Sequence, residues 1–384
     1  MPYVSPWIDE ELAILQDHVA RFVQRELAPH RERWEEQGYV DREAWLKAGQ
    51  VGLLCASIPE EYGGGGGHRG HEAIIMQEIG RAGLWGGFGA GTSVSSCIVA
   101  HYILAYGTEA QKQRWLPKMA AGEIIGAIGM SEPGAGSDLQ GVSTSAKKVE
   151  GGYRISGQKT WISNGQCADL IVAVVKTDPT AGAKGVSLIA VEPAGAEGFR
   201  RGRRLSKLGM HAQDTSELFF DEVFVPEENL LGGEEGRGFA QLMHQLAWER
   251  LQIAINATVA MEAAVALTVD YVRQRRLFGK LLADFQNTQF KLAECKTLAT
   301  VSRRFVDRLM VELLADDVDP ETAAMAKLWT TETQGKVIDE CVQLFGGYGY
   351  VSEYPIARLY ADVRATRIFG GASEVMKLII SRAL

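Results

Sequence analysis

The chain has 384 residues, of which 46% are hydrophobic and 23% charged, and its formal net charge at pH 7 is −8. This length predicts two or three domains, and the composition is typical of a soluble globular protein. The negative charge argues against nucleic acids and anionic membranes as main partners, and no stretch approaches the 18 uninterrupted apolar residues of a membrane span.

The five cysteines lie far apart without a CxxC pair, and the seven histidines are scattered. This distribution predicts neither a zinc site nor a disulfide framework, so we expect no metal and a reducing compartment. The first residues, MPYVSPWIDEEL, are acidic and lack the character of a signal or transit peptide. We therefore expect a cytoplasmic protein.

Residues 1–123 predict an N-terminal α-helical domain. In residues 9–28, apolar side chains recur at helical spacing, with Asp9 as N-cap and Pro29 as the stop. Further helices are expected at Arg42–Ala48, 71–82, 93–106 and 109–121. The glycine-rich stretch Pro59–Gly67 predicts a loop.

Residues 124–235 predict a middle β domain. Short apolar runs with period-two stretches, such as YRISGQKTWISNG, LIVAVVKT and GVSLIAVEP, are broken by Gly, Pro, Asn and Asp. They predict antiparallel strands at short spacing, and hence a β-barrel or sandwich. GAGSDL (Gly134–Leu139) has part of a dinucleotide-binding fingerprint, but it lacks the third glycine and no helical run follows it.

Residues 236–384 predict a C-terminal four-helix bundle, so the fold class is α+β multidomain. The helical segments are 238–276, 283–314, 320–345 and 371–383. In the first segment, apolar residues share a narrow arc that also contains Glu249. A carboxylate there either lies at the edge of the stripe, has a structural partner such as Arg250 or a neighbouring helix, or performs chemistry.

Five ordered motifs resemble those of the flavin-dependent acyl-CoA dehydrogenases. They are MSEPGAGSD (Met130–Asp138), KTWISNG (Lys159–Gly165), RRLFGK (Arg275–Lys280), QLFGGYGY (Gln343–Tyr350) and IFGGASE (Ile368–Glu374). The resemblance covers nearly the whole chain, and the order of helices, strands and helices fits it. It implies FAD bound between the β domain and the bundle, and dehydrogenation of an acyl-CoA thioester.

The resemblance also implies which residues contact the flavin. Met130 and Ser131 would line the ring, Trp161 would pack against it, and Ser163 would hydrogen-bond near its N5 edge. Further cofactor contacts are implied for Ser137, Ala372 and Glu374. Without the motif, Trp161 would be interpreted as a core aromatic residue of a strand, and the GAGSD segment as an ordinary turn.

A second set of cofactor contacts is implied across a subunit interface. Arg275 and Phe278 would reach the FAD of a neighbouring subunit, where a guanidinium suits a pyrophosphate. The same interface would include Gln286, Gln343 and Gly347. We therefore expect a homotetramer built as a dimer of dimers. The alternative interpretation of Arg275 is a solvated charge near a helix end.

The last motif departs from the family pattern. Many members have a catalytic Glu in a Glu-Gly-Thr segment, where this chain has Gly370-Gly371-Ala372. The isovaleryl-CoA and long-chain branches instead carry the base on the bundle helix, in a Glu-Arg-Leu context that WERLQIA (Trp248–Ala254) matches. The resemblance thus implies Glu249 as the base and the Gly370 backbone N–H as a donor to the thioester oxygen. Desolvation on the apolar stripe should raise the pKa of Glu249.

Substrate contacts are implied for Ser137 and for Arg250, which matches a family residue near the CoA or the dimer contacts, while Gly91–Val99 would line the acyl pocket. The small side chains there, including Ser93 and Ser96, indicate either room for a longer chain or close helix packing. The expected electron acceptor is an electron-transfer flavoprotein.

Three other functions stay open. An acyl-CoA oxidase or a dehydrogenase of carrier-protein thioesters would use the same acyl chemistry. A non-catalytic flavoprotein or assembly factor would explain the missing carboxylate at Gly370, and Glu249 is the feature that argues against it.

Overall fold

The computed structural model describes residues 3–316 and 318–384, and its elements run in the order helices, sheet, helices. The N-terminal helices are α1 (Glu10–Phe22), α2 (Arg31–Gln37), α3 (Arg42–Gln50), α4 (Arg69–Arg81), α5 (Ala90–Val94), α6 (Ala100–Tyr106) and α7 (Glu109–Ala120). Asp9 caps α1 as predicted, because its carboxylate accepts the backbone N–H of Leu12 at 2.9 Å. Pro29 is not the predicted stop: it lies in a 3₁₀ turn that leads into α2, where a proline ring fits the first helical turn.

Within the described residues, the middle part is a seven-stranded sheet in the order β1-β4-β2-β3-β7-β6, with β5 paired to β4. The strands are β1 (Gly126–Gly129), β2 (Ser145–Val149), β3 (Gly152–Ser163), β4 (Leu170–Lys176), β5 (Val186–Val191), β6 (Phe199–Arg204) and β7 (Thr215–Pro226). Most pairs are antiparallel as predicted, but β4 pairs in parallel with β1, where Gly126 is opposite Leu170, and with β2, where Ser145 is opposite Lys176. Neither pair is joined by a hairpin, because β3 lies between β2 and β4 in the chain and both β2 and β3 lie between β1 and β4, so nothing forces these strands to be antiparallel.

The C-terminal part is built around one long helix, α8 (Gly238–Val272), which packs against α4 and against two long helices that follow it. The later elements are the hairpin strands β8 (Arg276–Leu277) and β9 (Lys280–Leu281), then α9 (Gln286–Leu314), α10 (Pro320–Phe345), α11 (Pro355–Val363) and α12 (Ser373–Ser381). Two features differ from the sequence prediction. The first helix ends before the hairpin, and α11 is an additional short helix whose Ile356 is buried in the core of this part.

In the part of the chain that the structure describes, two helical stretches are long and apolar enough to cross a membrane by length and composition. They are Trp85–Tyr106 and α8, and 78% and 72% of their most apolar windows are buried inside the protein. Such burial is typical of core helices. The first stretch contains α5 and α6 together with two π-helical turns, which often occur near functional sites.

Candidate active site

Glu249 lies in the first half of α8, where it is only 8% exposed. The hydroxyl of Tyr102 donates a hydrogen bond to its Oε1 at 3.0 Å. Burial raises the pKa of Glu249 to about 7, and the hydrogen bond from Tyr102 and the charge of Arg250 offset part of that effect. A carboxylate with this pKa can accept a proton near neutral pH.

Tyr102 was not among the sequence-predicted site residues. It lies on α6, fully buried, and is separated from Glu249 by 147 positions in the chain. Burial, reinforced by the charge of Glu249, raises the pKa of Tyr102 well above its ordinary value, so its hydroxyl stays a donor. Nothing in its sequence context distinguishes it from an ordinary core tyrosine.

Arg250 does not neutralise Glu249 through a direct ion pair among the described residues. Its side chain is 5% exposed, and its Nε has no hydrogen-bond partner in the part of the chain that the structure describes. Since buried polar groups are nearly always hydrogen-bonded, this N–H is available to a ligand. Of the two structural partners expected for Glu249, an ion pair with Arg250 is absent among the described residues, whereas a hydrogen bond from a neighbouring helix is present through Tyr102.

Gly370 lies beside the helix that carries Glu249. Its φ of +62° is in the left-handed region, and a Cβ at this position would overlap Cδ1 of Ile253. Ile253 follows Glu249 by one helical turn. The structure thus places Gly370, where the carboxylate is missing, next to the part of α8 that carries Glu249.

Trp161 is 59% exposed, on a strand whose neighbouring residues are buried. The pairing of β3 with β7 shifts between Lys159 and Ile162, and Trp161 itself has φ +58°. A bulge that turns a large aromatic side chain outward, at some cost in backbone strain, is typical of a binding site. Ser163 follows two residues later at the end of the same strand.

A buried ion pair holds the stretch that contains Met130 and Ser131 against this bulge. Lys159 Nζ lies 2.7 Å from Oε1 of Glu132 and donates to the carbonyl of Met130 at 3.2 Å. The backbone N–H of Thr160 donates to the carbonyl of Ser131 at 3.0 Å. Three of the sequence-predicted flavin contacts, Met130, Ser131 and Trp161, are therefore neighbours, which fits a flat aromatic cofactor.

The small residues of 91–99 serve close packing. A Cβ on Gly91 would lie 3.0 Å from Oδ1 of Asn164 and 3.1 Å from the ring of Trp45. The hydroxyl of Ser93 donates to Gln252 at 2.6 Å, and Ser96 is buried as well. The small side chains were interpreted either as room for a longer acyl chain or as close helix packing. The contacts of Gly91 and Ser93 agree with close helix packing.

A groove of about 970 Å³ lies at the far end of α8, and its lining includes Arg275, Phe278, Gln343 and Gly347. Phe278 is 95% exposed, at the tip of the β8–β9 hairpin, where it and Gly279 both have positive φ. The guanidinium of Arg275 lies 5.7 Å from the centroid of the Tyr348 ring. Gln286 lies between two lining residues, Phe285 and Asn287. A cation beside exposed aromatic rings suits the phosphate and adenine groups of a nucleotide.

This groove is remote from Glu249. Glu249 precedes the last residue of α8, Val272, by 23 residues, which corresponds to about 35 Å of helix. The structure therefore places the predicted contacts Arg275, Phe278, Gln343 and Gly347 in a groove far along α8 from Glu249.

The remaining predicted positions are Ser137, Ala372 and Glu374. Ser137 is exposed in the turn after β1, Ala372 directly precedes α12, and Glu374 is exposed in the first turn of α12. Among residues 3–316 and 318–384, no group of three or more His, Cys, Asp or Glu could hold a metal ion.

Three family models match the chain. They describe the N-terminal domain of acyl-CoA dehydrogenase at residues 9–123, its middle domain at residues 127–223 and its C-terminal domain at residues 236–384.

Individual proteins that are similar to this chain are also named acyl-CoA dehydrogenases. The chain is 46% identical to a mitochondrial long-chain specific acyl-CoA dehydrogenase from Mus musculus, over 97% of this chain and 86% of that protein. It is 38% identical to a mitochondrial isovaleryl-CoA dehydrogenase from Solanum tuberosum, over 98% of this chain and 91% of that protein. The crystal structure of an acyl-CoA dehydrogenase from Geobacillus kaustophilus covers 99% of each chain, with 45% identity and a TM-score of 0.95.

Proposed function

Because this chain belongs to the acyl-CoA dehydrogenase family, we propose that it oxidises the Cα–Cβ bond of an acyl-CoA thioester to the trans-2-enoyl-CoA, with Glu249 as catalytic base. The observation that carries the assignment of the base is the buried carboxylate of Glu249, with a pKa of about 7, beside a loop in which Gly370 lacks a carboxylate. The family relationship supports the reaction class, and the geometry supports the residue.

The proposed reaction begins with proton transfer. A carboxylate oxygen of Glu249 accepts a proton from Cα, and the electron pair of that C–H bond moves into the forming Cα=Cβ bond as the Cβ–H bond breaks. FAD, when bound, supplies the acceptor for the hydrogen and the two electrons that leave Cβ. The backbone N–H of Gly370 donates to the thioester oxygen, where negative charge develops. Tyr102 holds the carboxylate of Glu249 in place throughout.

The residues present fit FAD. An exposed indole at Trp161, on a strained bulge beside Met130 and Ser131, is a platform for a flat ring, and Ser163 adds a hydroxyl nearby. The groove with Arg275 and Phe278 suits the nucleotide half of such a cofactor. Since roughly 35 Å of helix separates that groove from Glu249 of the same chain, the groove would serve a neighbouring subunit. This separation supports a homo-oligomer, for which the family resemblance implies a tetramer.

The proposed substrate is a long-chain acyl-CoA. This proposal is supported by sequence identity. The chain is 46% identical to a protein named long-chain specific acyl-CoA dehydrogenase and 38% identical to one named isovaleryl-CoA dehydrogenase. Arg250, with its unpartnered Nε, is the residue proposed to meet the polar part of the substrate, together with Ser137. Anaerobic titration with straight and branched acyl-CoAs tests this choice, and tighter binding of a short branched chain would contradict it.

An electron-transfer flavoprotein is the proposed acceptor, and the cytoplasm is the proposed location. Sustained peroxide production without an added acceptor would favour an acyl-CoA oxidase instead. Faster turnover with acyl-carrier protein than with acyl-CoA would favour the carrier-protein thioester.

Anaerobic mixing with acyl-CoA tests the catalytic proposal. The wild-type holoenzyme should lose its yellow colour, whereas Glu249→Gln should keep bound flavin and stay yellow. Glu262→Gln is the control, because Glu262 lies on the same helix but pairs with Arg303. Bleaching of Glu249→Gln at the wild-type rate would overturn the assignment, and an unbleached wild type would support a non-catalytic flavoprotein.

A further inference from the structure

Lys327, in the first half of α10, is fully buried. Its ammonium has no carboxylate within 4.0 Å among the described residues. Instead it donates to two backbone carbonyls, that of Thr366 at 2.9 Å and that of Gly371 at 2.7 Å. Burying a cation without a counter-charge is costly, and a methionine would fill the same space without that cost.

The two carbonyls flank Gly370 in the chain. A Cβ on Gly370 would lie 3.6 Å from Cε of Lys327 and would overlap Cδ1 of Ile253. Gly370 therefore packs against the lysine stem from α10 and the isoleucine from α8. Gly370 and Gly371 both have positive φ and no side chains to pack, so contacts with the backbone carbonyls on either side hold this part of the loop.

The rest of α10 anchors the same segment at its ends. Glu332 accepts the hydroxyl of Ser373 at 2.6 Å and lies 3.5 Å from Arg367. Gln334 accepts the hydroxyl of Thr366 at 3.1 Å. Of these anchors, Lys327 is the one that binds directly on both sides of Gly370.

We propose that Lys327 is a positioning residue for the reaction, which fixes the Thr366–Gly371 segment so that the Gly370 N–H is held ready for the thioester oxygen. The inference rests on the proposed function, in which that N–H stabilises the charge that develops as Glu249 takes the α-proton. A preorganised donor acts without reorganisation during the reaction, and a displacement of about 1 Å can cost on the order of 100-fold in rate. This role explains why a charged lysine side chain occupies a buried position beside the loop.

The test uses a 3-thia-acyl-CoA, in which sulfur replaces Cβ. This analogue can lose its α-proton, but it has no Cβ–H bond to break. Binding is measured by calorimetry, and ionisation of the bound analogue is followed by visible absorbance as the pH is raised. Because ionisation places charge on the thioester oxygen, the pH of half-ionisation reports on the Gly370 donor.

Lys327→Met keeps the stem of the side chain and removes the donor. It should bind the analogue within about threefold of wild type but ionise it only at a pH at least about one unit higher. With substrate, kcat should fall about 10- to 100-fold with little change in KM. Lys336→Met, an exposed lysine on the same helix, should match wild type in every measurement.

If the Lys327→Met protein does not fold, Lys327→Gln is the second variant. Its side chain is too short to reach both carbonyls, so the same rise in the pH of half-ionisation is expected. An unchanged ionisation pH in either folded variant would overturn the inference. If the wild type itself fails to ionise the analogue, or Glu249→Gln ionises it like wild type, the proposed function fails instead.

Discussion

The hydroxyl of Tyr102 donates to the carboxylate of Glu249 at 3.0 Å, which links the N-terminal helices to the central helix of the C-terminal part. Both side chains are buried. The hydrogen bond stabilises the ionised form of Glu249, while desolvation favours the protonated form, and the balance leaves the pKa at about 7. The proton affinity of the proposed base is thus set by two elements that are distant in the chain.

Tyr102→Phe should raise the pKa of Glu249, because it removes a donor to the carboxylate and leaves the burial unchanged. A hydrogen bond to a charged group contributes about 1.5–3 kcal/mol, so the acidic limb of the pH profile of kcat/KM should move up by roughly one to two units. Measurement between pH 6 and 9.5 tests this. Tyr106→Phe is the matched control, since that hydroxyl contacts His244. An unmoved acidic limb would show that Tyr102 does not act on the base.

Glu249→Gln should change how stability depends on pH. Burial raises the folded-state pKa of Glu249 from 4.5 to about 7, so the wild type loses unfolding free energy as the pH rises through this interval. Glutamine has no proton to lose. The variant should therefore gain roughly 2–3 kcal/mol relative to wild type between pH 5 and pH 8.

Urea unfolding of both holoenzymes at equal protein concentration measures this difference. The exposed Glu36→Gln serves as control and should follow the wild type at both pH values. A parallel pH dependence of wild type and Glu249→Gln would mean that the carboxylate is well solvated in the folded protein.

Gly370→Ala should impair the enzyme through two effects. The left-handed backbone costs about 1–2 kcal/mol for a residue with a Cβ, and that Cβ would overlap Ile253. We expect a lower kcat/KM for Gly370→Ala and partial recovery when Ile253→Ala is added, because the second change removes only the overlap. Steady-state kinetics of the single and double variants measures this coupling. Equal losses with and without Ile253→Ala would exclude the steric explanation.

The contact between position 370 and Ile253 also affects whether the catalytic base can be moved from position 249 to position 370. Introducing Gly370→Glu into Glu249→Gln restores a carboxylate at the position used by many members of the family. We expect little recovery of flavin bleaching unless Ile253→Ala is also present, since the new side chain must pass this residue. Recovery with Ile253 intact would mean that the loop shifts easily.

Arg275→Ala should weaken cofactor retention without changing proton abstraction. The guanidinium lines the groove at the far end of α8, about 35 Å of helix from Glu249. Flavin content after gel filtration should fall, whereas enzyme saturated with FAD should show a wild-type pH profile. Arg273→Ala, exposed just after the end of α8, is the control and should retain its flavin. Equal flavin content in the two variants would remove Arg275 from the cofactor site.

The order of domains and the family could be predicted from the sequence, because both depend on local signals. Helical spacing, period-two strands and five motifs in order predicted helices, a β domain and helices, and the fold and family are confirmed. Glu249 was also predicted from the sequence, because the chain has a carboxylate on an apolar helix face at Glu249 and lacks the family's usual carboxylate at Gly370. The parallel pairing of β1 with β4 and the β8–β9 hairpin were not predicted, because they depend on how distant segments meet.

The sequence by itself determined which residues are unusual: an acid on an apolar stripe, a glycine in place of a carboxylate, and an arginine and a phenylalanine near a helix end. Only the tertiary structure decided which groups surround them. Tyr102 and Lys327 look like ordinary helical residues in the sequence, and they gain their significance from contacts with Glu249 and with the backbone beside Gly370. The physical reason is that periodicity reports the side of a helix that is buried, whereas desolvation and hydrogen bonding depend on the partner brought there by the fold.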